Sequence, residues 1–170
     1  MSDRHSRCIQ ELYAPKNACF GCGPANEKGL RIRSFPDPDK PERLVAHWRP
    51  LPHHEAFDGV LNGGIVGALL DCHSNWAACW KLKLRDGLEI PPCTVTADFH
   101  VKMRRPTPTD RELIVVAEAI ADEGSKVTVT AEIRAGDQVT ATCEGRFVAV
   151  KPGHPAYHRW EAPADVDPTP

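Results

Sequence analysis

Asn62-Gly63-Gly64 followed by a carboxylate at Asp71 is the part of this sequence most able to do chemistry. Asparagine is among the strongest helix N-caps, and no helix breaker follows until Arg85-Asp86-Gly87. Glycine is disfavoured in a helix by roughly 1 kcal/mol relative to alanine, so two glycines in the first turn call for a reason. One reason is an atom that must come close to the unpaired N–H groups of a helix start. There, with the positive end of the helix dipole behind them, those groups stabilise negative charge.

The elements that must position these groups follow from the periodicity. At helical spacing Gly64, Gly67, Ala68, Asp71, Asn75 and Ala78 share one narrow stripe. Ile65, Val66, Leu69, Leu70, Cys72, His73, Trp76, Ala77, Cys79 and Trp80 fill the rest, a broad apolar face for which a sheet is the natural cover. The stripe suits close approach of another backbone, a symmetry-related subunit or a slim ligand. Its plain alternative is a packing seam in a buried helix, with a surface aspartate. His73 lies on the apolar side and reads as a hydrogen-bonded core histidine.

At 170 residues and 41% hydrophobic content the chain suits one domain. A net charge of −2 disfavours nucleic acid as a partner. No apolar run reaches a membrane-spanning length, and the first residues lack the apolar core of a secretory signal. Seven cysteines without dense, regular spacing read as reduced thiols in a cytoplasmic protein. Residues 1–18 form a polar segment with a short helix near 7–13. Residues 30–35 and 43–48 alternate with period two and predict a hairpin across a proline-rich turn. Four further strands are expected at 94–103, 113–120, 126–134 and 139–150, in a meander separated by turn signals. Residues 151–170 read as a flexible tail. Two strands, a long helix and four strands predict an α+β architecture, a central helix wrapped by a curved antiparallel sheet in the hotdog arrangement. Open sheet edges in that arrangement favour pairing with a second copy.

Leu61-Asn62-Gly63-Gly64 with Leu69-Leu70-Asp71 resembles the hallmark of the phenylacetyl-CoA-type hotdog thioesterases, the PaaI-like family. In that family His-Gly-Gly usually precedes an acid on the same helix. Thr94-Val95-Thr96-Ala97-Asp98-Phe99-His100-Val101 with Arg105-Pro106 resembles the family's strand after the helix. Cys19-Phe20-Gly21-Cys22-Gly23-Pro24-Ala25-Asn26, closing on Gly29-Leu30, is similar to an N-terminal signature of many bacterial members. The similarity covers residues 19–150.

The resemblance implies hydrolysis of an acyl-CoA or similar acyl thioester, without a cofactor. Asp71 takes the place of the nucleophile or general base, and the Gly63 N–H that of the donor to the thioester carbonyl. Family sites lie at a dimer interface, so a homodimer or dimer of dimers is expected. That agrees with the roughly 10 Å along the helix axis between Gly64 and Asp71, too far for one carbonyl to touch both. Thr96 aligns with a hydroxyl that positions the water or carboxylate. Asn62 stands where the family has His, and Ala56 where certain members carry an Asn that orients water. Asn62 keeps the cap but forgoes an imidazole, the Ala56 departure favours nucleophilic attack by Asp71, and a non-catalytic module that binds acyl-CoA or another small ligand is the alternative. Gly64, His54, Phe57 and Asn75 are candidate substrate contacts. Arg104 and Arg105, beside Lys102, could meet CoA phosphates or be solvated surface. Trp76, Trp80, Phe57 and Phe99 could shape an acyl pocket or belong to the core. Hydratase hotdogs place a His five residues after an Asp; the residue five after Asp58 is Gly63, which disfavours that reading. Cys19-x-x-Cys22, with His5 and Cys8 upstream, offers four possible zinc ligands at loose spacing, and no metal is assigned from it.

Overall fold

A computed structural model describes residues 7–157 and Trp160. Helix α1 (Ile9–Tyr13) opens it, and strands β1 (Ser34–Pro36) and β2 (Leu44–Trp48) follow. A small hairpin, β3 (Glu55–Phe57) and β4 (Val60–Leu61), leads into the long helix α2 (Gly63–Asp86). Strands β5 (Thr94–Met103), β6 (Leu113–Glu123), β7 (Lys126–Ala135) and β8 (Gln138–Ala149) complete the domain. Six strands form one antiparallel sheet in the order β1-β2-β6-β7-β8-β5, curved around α2. This is the hotdog arrangement that the element order predicts.

Both ends of α2 obey local chemistry. The Asn62 side chain accepts from the Gly64 and Ile65 amides at 2.8 and 3.4 Å, so the cap satisfies donors the helix cannot. Gly87 closes the helix at φ 63°, a left-handed conformation in which glycine carries no Cβ penalty. Between them Leu69, Leu70, Ala77 and Cys79 are fully buried against Val115, Val129, Ile133 and Phe147 of the sheet. Each large side chain taken from water in this way contributes about 2 kcal/mol. Among the described residues no helix is long and apolar enough to cross a membrane.

The structure departs from the sequence expectation in several places. Of residues 30–35 only Ser34 and Phe35 are strand, the start of β1. Leu30, Ile32 and Ser34 do alternate inward, but Arg31 turns the backbone at φ 50°. The Leu30 and Ile32 amides bond to the carbonyls of Phe20 and Gly21 instead of a strand. The four later strands are not one meander. β6, β7 and β8 are, whereas β5 crosses to the far edge and pairs with β8. The β3–β4 hairpin was not expected, because strands of two and three residues leave no periodicity to read. Past residue 151, expected as a loose tail, Trp160 stacks on Trp76 with centroids 4.4 Å apart. Residues 158–159 and 161–170 of that segment lie outside the described residues, as do 1–6.

Candidate functional site

Asp71 lies halfway along α2 and is half-buried. Its Oδ1 accepts a 2.7 Å hydrogen bond from the Thr96 hydroxyl on β5. Thr96 Oγ1 in turn accepts from Asn75 Nδ2 at 3.4 Å, and Asn75 Oδ1 accepts from the Thr94 hydroxyl at 2.6 Å. Every donor in this relay points towards the carboxylate. Asn75 sits one helical turn beyond Asp71, so the Asp71–Asn75 spacing and the Thr94–Thr96 spacing match across helix and strand. A donor aimed at an ionised oxygen makes a stronger bond than one between neutral groups, and it fixes the carboxylate's orientation. The carboxylate's charge reaches β8: the Cys143 thiol is pushed up to about 11, first by burial and then by Asp71.

A bulge gives β5 this reach. The β5–β8 register shifts between Thr96 and Asp98, which changes the side of the sheet that each later residue faces. Thr94 and Thr96 face the helix before the bulge, and Val101 and Met103 face it afterwards. β5 therefore runs beside α2 from Asn75 at one end to Gly63 at the other. Its outer edge is open: among the described residues it pairs only with β8.

The helix start is equally open. Gly63 and Gly64 are exposed, and the Gly63 amide finds no acceptor among the described residues. A Cβ at Gly63 would meet only Met103 Cε, at 3.5 Å, and a Cβ at Gly67 would meet nothing within 4 Å. The protomer's own packing does not require glycine at these two positions. Asp71 lies eight residues beyond Gly63, about 12 Å along the axis, so the two groups do not converge within one protomer.

The remaining candidates divide. His54 is buried, not an exposed loop residue: its ring stacks on Trp48 at 5.1 Å and Nδ1 accepts from the Leu51 amide. Burial, then the neighbouring His53, holds its pKa below the usual imidazole range. Phe57 projects from the β3–β4 hairpin and is 67% exposed, and Phe99 on β5 is also exposed. Lys102 and Arg104 line a depression on the sheet's outer face with Thr142 and Glu144, across the sheet from Asp71. The Arg104 and Arg105 amides both donate to the Thr140 carbonyl, and Arg105 is exposed. Trp76 is buried and Trp80 donates to the Pro41 carbonyl. Ala56 is exposed beside Phe57.

His73 is the core histidine the periodicity predicts. Its Nδ1 lies 2.8 Å from Ser34 Oγ and its Nε2 3.1 Å from the Leu44 carbonyl. Gln10 donates to Ser34 Oγ, leaving the Ser34 hydroxyl proton for Nδ1, so Nε2–H donates to Leu44. This buried chain ties α1, β1, α2 and β2 together.

A cavity of about 120 Å³ opens beside Asp71, lined by Asn17, Cys19, Cys22, Cys72, Asn75, Trp76, Val95 and Thr96. Its three sulfurs lie within 4.8 Å of one another. Hydrogen bonds from Cys22 and then Cys72 hold the Cys19 thiol below the usual range, while the contact with Cys19 and then that with Cys22 push Cys72 up. Cys8, paired with Cys19 and Cys22 in the sequence reading, instead caps α1 away from this cluster, and His5 lies outside the described residues. The third thiol is Cys72, read from sequence only as part of the apolar face. Its place directly after Asp71 was the available signal.

No protein-family model and no curated protein matches the sequence. Solved structures do. A thioesterase superfamily protein superposes with a TM-score of 0.65 at 23% identity, over 78% of this chain and 60% of its own. This chain thus spans 60% of that protein's length. A thioesterase superfamily protein from Shewanella loihica PV-4 matches at 28% identity and TM-score 0.56, over 71% of this chain and 91% of its own. The E. coli PaaI protein from the phenylacetic acid degradation operon matches at 14% identity and TM-score 0.59, over 72% and 81%. A long capped helix, a six-stranded curved sheet and these superpositions agree on the fold: the chain has the hotdog architecture of these thioesterase superfamily structures, the E. coli PaaI protein among them.

Proposed function

We propose that the protein hydrolyses an acyl thioester, with acyl-CoA as the substrate class, at two equivalent sites between paired protomers. The observation that carries this reading is the Thr94–Asn75–Thr96 relay of donors ending on Asp71 Oδ1. It leaves the carboxylate oriented, half-buried and beside a cavity. Two copies of α2 crossing antiparallel bring each Asp71 beside the other's Gly63, and the open seam at Gly63 and Gly67 leaves room for that approach.

The thioester carbonyl binds with its oxygen towards the Gly63 amide at the helix start. Attack on the carbonyl carbon moves charge onto that oxygen, where the amide and the helix dipole stabilise it, typically by several kcal/mol. Asp71 supplies the attack. As a nucleophile it forms an acyl anhydride and expels the thiolate, and water then hydrolyses the anhydride. As a base it takes the proton from the attacking water. Thr96 holds the carboxylate for either course. Phe57 and Phe99, exposed on one protomer, offer apolar surface to the acyl chain or to the partner.

The test is release of free thiol from short, long and aryl acyl-CoAs. Turnover of at least one is expected, and Asp71→Ala should abolish it. Tight binding of a thioester with no thiol release from any would replace this reading with that of a ligand-binding module.

A further inference from the structure

We propose that Cys19, Cys22 and Cys72 form a zinc site of three thiolates, with its fourth coordination position facing the cavity that Asp71 also lines. Zinc holds four ligands tetrahedrally with Zn–S bonds of about 2.3 Å, so bound sulfurs stand about 3.8 Å apart. Cys19 Sγ and Cys72 Sγ are 3.7 Å apart, and all three sulfurs fall within 4.8 Å of one another. No pair is bonded, and all seven cysteines are free thiols. Any single disulfide among three thiols would leave one over, whereas one ion uses all three.

The backbone is shaped to gather these sulfurs. The Gly23 amide donates to the Cys19 carbonyl at 2.9 Å, closing the Cys-x-x-Cys turn, and Asn17 Oδ1 accepts from the Cys19 amide. A Cβ at Gly21 would stand 2.3 Å from Cys72 Sγ, and one at Gly23 would stand 2.4 Å from the Asn17 carbonyl. Gly21 lets the loop press against α2 where Cys72 emerges, and Gly23 lets the loop fold tightly on its own Asn17–Cys19 backbone. Thiolates are soft ligands suited to zinc, and a cytosol-like reducing environment keeps them available. The cavity of about 120 Å³ has room for an ion and a solvent molecule as fourth ligand. The Asp71 carboxylate lies outside the sulfur cluster, so it is a neighbour of the ion and not a ligand. On binding, each thiol loses its proton to solvent.

This inference does not depend on the thioesterase reading, and neither readout below uses a substrate. The full chain, purified under reducing conditions from zinc-supplemented cells, is expected to carry stoichiometric zinc by elemental analysis. Cys19→Ser, Cys22→Ser and Cys72→Ser should each lower bound zinc by about tenfold or more, while Cys143→Ser should retain it. Cobalt(II) added to the zinc-stripped wild-type chain should give sulfur-to-metal charge-transfer bands and the intense visible bands of a tetrahedral ion. The wild-type cobalt spectrum decides the matter should a variant fail to fold. Folded wild-type protein that takes up neither zinc nor cobalt overturns the proposal. So does zinc retained by the three serine variants.

Discussion

Thr96 is a modest residue with a defined task. Its hydroxyl donates to Asp71 and accepts from Asn75, so it has no spare proton to give a substrate. Thr96→Val keeps the shape and removes both bonds. In the proposed hydrolysis this should lower kcat about tenfold, the worth of one such hydrogen bond, with KM nearly unchanged and Thr96→Ser restoring the rate. Loss confined to KM would make Thr96 a substrate contact instead.

His73 carries a different expectation, about pH. Burial holds its pKa down at about 4, only partly opposed by its bond to the Leu44 carbonyl, against 6.5 for an exposed imidazole. Between those values the unfolded chain binds a proton that the folded chain refuses. Stability from this group is therefore complete above about pH 6.5 and is lost as the pH falls towards 4, by about 3 kcal/mol in all. Urea midpoints at pH 7 and pH 4.5 should show the decline, and His73→Gln should flatten it. An equally steep slope in the variant would assign the effect to other groups.

At the scale of elements, α2 depends on its cap and the thiol loop on its glycines. Asn62→Ala removes the acceptor for two amides and should cost about 1 kcal/mol, or about 3 °C in melting temperature followed by circular dichroism. Gly23→Ala and Gly67→Ala separate two meanings of glycine. At Gly23 a Cβ would strike backbone atoms at 2.4 Å, so the substitution should destabilise by about 1–3 kcal/mol. At Gly67 a Cβ meets nothing within 4 Å, so the isolated protomer should gain helix stability, up to about 1 kcal/mol. Denaturant unfolding of the two variants reads both signs.

The whole molecule presents one unfinished face. The open edge of β5 and the small-residue seam of α2 lie side by side, flanked by Met103 and Phe99, which are 54% and 41% exposed. A long uncovered edge strand beside apolar side chains is a ready template for pairing. One second copy in antiparallel orientation would cover both features and complete both sites. Gly67→Leu fills the seam while leaving the protomer's own contacts unchanged. It should weaken self-association in sedimentation experiments and remove thiol release together, with the far-ultraviolet spectrum retained. Full activity from a monomeric Gly67→Leu variant would show that each protomer carries a complete site.

Local chemistry determined much of this from sequence alone. The Asn62 cap, the Gly87 stop and the apolar periodicity between them delimit α2, because capping and burial act within a turn or two of chain. The alternating runs on both sides predict β2 and β5–β8 for the same reason, and Asp71 and Thr96 were legible as a pair only through family resemblance. Tertiary structure decided what distant segments do to one another. Residues 30–33 alternate like a strand, yet their amides answer to the Phe20–Gly21 loop, which no local pattern reveals. β5 has the composition of any sheet strand, and its place at the far edge follows from the crossover around α2. Cys72 sits 53 residues from Cys19, and only the packing of that loop onto the helix brings their sulfurs to 3.7 Å. Periodicity records which side of an element is buried; which other element buries it is settled by the folded chain.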